Sequence, residues 1–142
     1  MNSRGKIVSF TDDGVTKTAV LDASAAYPML KKWQRTITLE NRRVTVLDEI
    51  EEDHGVKITY PLHALSAPVS GGNDVIIERG GVAMTVSPDK SPTLREISDK
   101  FGVDLNEGVP EQFHAKEAPQ WHIYYETGVS DKHTITVTCD VK

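Results

Sequence analysis

The chain has 142 residues, enough for one domain with a core of its own and no covalent staples. Its 38% hydrophobic and 26% charged residues are ordinary for a folded protein, and a net charge of −5 argues against a general binder of nucleic acid or acidic membrane. With Cys139 as the only cysteine, an intrachain disulfide and a cysteine zinc cluster are both excluded.

In chain order the candidate strands are 5–10, 15–22, 33–40, 43–51, 56–65, 74–79, 82–87, 119–126 and 132–141. Asp12-Asp13-Gly14 signals a hairpin between the first two. Asp22 to Tyr27 has room for a single helical turn before Pro28. Glu40-Asn41-Arg42 turns the chain between the third and fourth strands, because Asn tolerates positive φ. Gly71-Gly72-Asn73-Asp74 and Gly80-Gly81 mark two further turns. Residues 88–118, rich in Pro and charge, read as a long excursion with a strand near Leu94–Ile97 and a turn near Glu111.

Residues 33–65 alternate most clearly. Val44, Val46 and Ile50 share one parity with Asp48 among them, as a strand with one buried face requires. Short strands at this spacing imply an all-β sandwich or barrel. Alternating strands need a second sheet over their apolar faces, so a two-sheet antiparallel β-sandwich with little helix is expected, over 1–142 as a single domain. The expected core is Val44, Val46, Ile50, Ile58, Leu62, Ile135 and Val137, with Trp121, Ile123 and Tyr125 on one face of their strand. Cys139 reads as a small buried hydrophobe. No apolar run approaches about eighteen residues, so no membrane-crossing helix is expected. The start has no apolar signal segment and enters a strand at Lys6, which suggests a piece of something longer.

Residues that could carry chemistry are scattered. The five histidines lack short metal spacing, and His63 on its strand reads as structural. Asp104-Leu-Asn106-Glu-Gly108 mimics half a calcium loop, but position twelve of that frame is Ala115. Asp48, Glu49, Glu51, Glu52 and Asp53 read as a solvated charge run at a strand end. No metal, cofactor or catalytic constellation is expected. One cluster stands out: Lys31, Lys32, Trp33, Arg35, Arg42 and Arg43 lie within thirteen residues, opposed by Glu40 alone. A flat ring beside cations can stack on a sugar and pair with its carboxylate or sulfate. The plainer reading folds Trp33 into the core beneath a solvated charge cluster.

The runs Val20-Leu-Asp-Ala-Ser-Ala-Ala-Tyr27-Pro, Trp33-Gln-Arg35-Thr-Ile, Val44-Thr-Val-Leu-Asp48-Glu-Ile and Ile58-Thr-Tyr60-Pro-Leu-His63 resemble the C-terminal β-sandwich region of heparinase II/III-like polysaccharide lyases. The match covers roughly residues 15–65. Such lyases cleave uronic-acid polysaccharides by β-elimination: a base takes the C5 proton and an acid, often a Tyr, protonates the leaving oxygen. The family's catalytic groups lie mainly in a helical toroid, with a further His and a metal site earlier in the sheet region. None of these can be carried onto this chain; Tyr27, Asp48 and His63 match structural positions of the pattern. The resemblance therefore implies an accessory, non-catalytic C-terminal domain, partnered by the catalytic N-terminal region of its own parent chain. It also implies a secreted or periplasmic parent. If the domain touches anionic polysaccharide at all, Lys31, Lys32, Trp33, Arg35, Arg42 and Arg43 are expected to form the contact. Nucleic acid and membrane are not expected partners. The alternative is a stand-alone carbohydrate-binding or cell-surface adhesion module.

Overall fold

The computed structural model describes residues 5–88, 93–98, 110 and 121–142. The strands are β1 Lys6–Asp12, β2 Thr16–Asp22, β3 Leu30–Glu40, β4 Arg43–Val56, β5 Thr59–Ala64, β6 Val69–Gly71, β7 Asp74–Arg79, β8 Val82–Pro88, β9 Thr93–Ser98, β10 Trp121–Glu126 and β11 Ser130–Val141. One 3-10 turn, Ser24–Ala26, supplies the helix among the described residues. An eight-stranded sheet has the order β1-β2-β3-β4-β11-β8-β7-β6, and a three-stranded sheet the order β5-β10-β9. Every pairing is antiparallel. This is the expected two-layered all-β sandwich.

Turn chemistry sets the hairpins. Asp13 Oδ1 accepts the amides of Val15 and Thr16 at 2.9 and 2.7 Å, while Gly14 takes a φ of 88° that a larger residue would resist. Asn41 turns the β3–β4 hairpin at a φ of 51°. Gly80 and Gly81, at 60° and 80°, form the two-residue link of β7 to β8.

The core lies between the sheets. Val75 and Val86 of the large sheet and Ile123 and Tyr125 of the small one are buried, with Tyr60, Leu62, Ile77 and Trp121 packed around them. Of the expected core, Ile50, Ile135 and Val137 are buried, whereas Val44, Val46, Ile58 and Leu62 are half-buried. Cys139 is half-buried against the same cluster, and burial pushes its thiol up.

Three expectations change. β3 starts at Leu30 and β4 runs to Val56, because the two strands pair past a bulge between Leu30 and Lys32. The short β6 is additional; three residues cannot display a period. The acidic run is not wholly solvated: Asp48 and Glu52 are buried, at 2% and 7% exposure. Both have the inward parity of Ile50, so alternation carries them into the sandwich. The expected turn near Glu111, the Asp104–Gly108 segment and His114 lie outside the described residues.

Candidate functional site

Asp48 is the hub of the polar structure inside the sandwich. Register sets Arg35 directly opposite Asp48, and Trp33 opposite Ile50, all facing the small sheet. Arg35 donates from Nε and Nη2 to Oδ1 and Oδ2 of Asp48, each at 2.8 Å, and Trp33 Nε1 donates to Oδ1 at 3.0 Å. A buried carboxylate is tolerated when it is paired and hydrogen-bonded, and a bidentate guanidinium meets both demands. The hydrogen bonds to Asp48 raise the Arg35 pKa further above its ordinary value. The Arg35 guanidinium lies 5.8 Å from the ring centroids of both Trp33 and Tyr60, within cation–π reach. Burial pushes the Tyr60 phenol up.

The segment between β2 and β3 clamps this hub. Asp22 Oδ1 accepts the Ser24 amide at 2.9 Å, and Ser24 Oγ accepts the Trp33 amide at 2.8 Å. Ala23 donates its amide to the Trp33 carbonyl at 2.9 Å. Tyr27 then lays its ring 4.8 Å from that of Trp33, tilted by 50°. The Asp-Ala-Ser-Ala-Ala-Tyr run thus has a physical purpose: it caps a turn, ties it to β3 and backs the indole.

Beside the hub, a cleft of about 560 Å³ opens between the sheets. Tyr27, Met29, Trp33, Arg35, Ile58 and Tyr60 are among the residues that line it, with Asp48 and Ile50. Its volume is that of a small-molecule site, and its walls are mainly apolar with a few convergent polar groups.

The six basic-cluster residues do not assemble into one surface. Trp33 and Arg35 face the cleft. Lys32 has the opposite parity and pairs with Glu49 at 3.3 Å, while Lys31 pairs with Asp53. Arg43 forms a bidentate pair with Asp140 at 2.7 and 3.1 Å. Arg42 and Arg43 sit at the hairpin turn, about 30 Å along β3 from Lys31 at roughly 3.3 Å per residue. Closeness in sequence does not survive a strand of eleven residues.

Among the described residues, no three His, Cys, Asp or Glu side chains gather as metal ligands. His63 stacks on His122 at 4.6 Å and 5°, on the outer face of the small sheet. His122 Nδ1 is 3.1 Å from the Tyr124 hydroxyl. His133 Nε2 lies 2.9 and 3.0 Å from the carbonyls of Val56 and Ser130, so it carries the proton and ties the end of β4 to β11. Reading the sequence missed Asp48, Tyr27 and Tyr60 as parts of one site. The signal was present: an Asp among Val44, Val46 and Ile50 on an apolar face must find a cation.

No protein-family model matches the sequence, and no curated protein matches it. Solved structures do. Heparan sulfate lyase HepC from Pedobacter heparinus superposes with a TM-score of 0.75 at 14% identity, over 97% of this chain and 22% of its own. The heparinase III BT4657 gene product gives 0.70 at 9% identity, over 97% of this chain and 21% of its own. The chain shares its fold with one segment of heparinase-type lyases. It spans about a fifth of their length, which agrees in fold with the resemblance carried by residues 15–65.

Proposed function

We propose that this chain is an accessory, non-catalytic β-sandwich domain of a heparinase II/III-like polysaccharide lyase, whose remainder degrades uronic-acid polysaccharide by β-elimination. One observation carries the reading. The residues that resemble the lyase pattern are those that build the Trp33–Arg35–Asp48 hub and its Tyr27 clamp, inside a fold that corresponds to one segment of two such enzymes. They tie β3 to β4 and to the β2–β3 segment within the large sheet. Elimination instead needs a base at the C5 proton and an acid at the leaving oxygen. Tyr27 packs on Trp33 and His63 stacks on His122, which suits scaffolding. The parent on this reading is secreted or periplasmic.

The test is formation of unsaturated uronate from heparan sulfate, alginate and related polymers, followed by absorbance. The longer polypeptide should form product and the 142-residue chain should not. Product from the short chain that disappears in H63A or Y27F would overturn the accessory reading.

A second reading, a carbohydrate-binding or adhesion module, is favoured by the Tyr27–Trp33 pair at the cleft. If polysaccharide is held here, Trp33 and Arg35 make the contact at the cleft, and Lys32 faces away from it. Arg42 and Arg43 reach only a distant part of the same polymer. The ion pairs of Lys31, Lys32, Arg35 and Arg43 offset their charge, and salt screens what remains over about 8 Å. Binding in the high-micromolar range or weaker is expected. Amide shifts recorded during titration with an anionic oligosaccharide would reveal it, and silence at residues 31–35 would remove this reading.

A further inference from the structure

Among the described residues, the inner face of the large sheet is covered at one end only. The β1–β2 register passes from Ile7 opposite Leu21 to Ser9 opposite Val20, which leaves Val8 as a bulge. Strict alternation would put Ile7 and Phe10 on opposite faces; the inserted residue puts both on one. Through Leu21 opposite Arg35 and Ala19 opposite Ile37, that face is the one bearing Trp33 and the cleft. Leu39 continues it. Yet Ile7 is 71% exposed, Phe10 63% and Leu39 39%, and no residue of β1 or β2 is buried. Large apolar side chains aligned on one open face mark an interaction surface.

Two ion pairs flank this strip, Lys6 with Asp22 and Lys17 with Asp12. An apolar strip suits a folded polypeptide surface and does not suit a polyanion. The bulge also interrupts the free edge of β1, which discourages strand-to-strand addition and leaves the face as the usable surface.

We propose that Ile7, Phe10, Leu21, Ile37 and Leu39 form the docking surface for another part of the same longer polypeptide. The inference rests on the lyase-domain reading, and it names where the remainder sits. Chains sharing this fold are several times longer, since this one covers 22% of the first.

Hydroxyl-radical footprinting of the longer polypeptide and of the 142-residue chain tests this, with buried Tyr125 as the folded reference in each. Phe10 should be oxidised readily in the short chain and lose that labelling in the long one, toward the level of Tyr125. Uronate formation is measured on the same long-chain sample. Product formation with Phe10 equally labelled in both chains would overturn the docking surface and leave the lyase reading intact. Protection of Phe10 without product on any uronic-acid polymer would support the surface and overturn the lyase reading. Protection that appears in the short chain as its concentration rises would make a second copy the occupant and overturn the proposal. F10S in the long chain should restore labelling at Ile7; continued protection there would also count against it.

Discussion

At Asp48, a carboxylate 2% exposed depends on Arg35 and Trp33 for all its described hydrogen bonds. Arg35→Met should cost about 3 kcal/mol, because it strands a buried charge. Asp48→Asn keeps an acceptor for the indole and should cost about 1–2 kcal/mol. Replacing both residues with apolar ones should recover most of the loss, since a buried pair is costly to break but not to remove. Urea denaturation of the three variants checks this, and a neutral R35M would refute the hub. Tyr125 offers the opposite case: its hydroxyl is buried without a partner among the described residues. Tyr125→Phe should therefore stabilise by about 1 kcal/mol. Burial pushes Tyr125 up to about 12 from 10.0, so its contribution is whole below pH 10 and is lost as pH rises through the higher value. Alkaline denaturation should be shallower for Y125F. The parity of Asp48 was legible in the sequence, but its partner was not. Choosing Arg35 over the neighbouring cations requires the β3–β4 register, which the Asn41 turn fixes.

Among the elements, the strands and their turns were readable because alternation and Gly or Asn punctuation are local properties. What escaped was long-range. β11 pairs with β4 on one side and β8 on the other, and nothing near residue 135 announces either partner. The far end of β4 was also hidden, since a run of acidic residues masks the continuing period. The basic cluster failed as one surface for the same reason, because a hairpin carries its turn away from its ends. The β7–β8 link offers a clean local test. A Cβ on Gly80 or Gly81 would meet nothing within 4 Å, so the cost of Ala there comes from backbone alone. With φ at 60° and 80°, each substitution should cost about 1 kcal/mol, read as a lowered melting temperature.

For the whole molecule, exposed ion pairs and turn bonds give a common acid response. Lys17 holds Asp12 below its ordinary 3.8, Lys31 does so for Asp53 and Arg43 for Asp140. The Thr16 amide lowers Asp13, and Ser24 lowers Asp22. Stability from groups depressed in the folded state is complete above 3.8 and drains as pH falls through their lowered values. Melting temperature should therefore hold through neutral pH and decline below about 4, and a maximum at acidic pH would contradict this. The half-covered sheet has a kinetic consequence as well. β4 and β11 are locked by neighbours on both sides and by the core, whereas β1 and β2 rest on their ladder bonds. The short chain should thus open subglobally from that end, with β1 and β2 amides exchanging deuterium well before those of β4 and β11. A protease should find the Asp12–Gly14 turn in that same frayed state, and an occupant on the proposed docking surface would close the route by raising the free energy of opening.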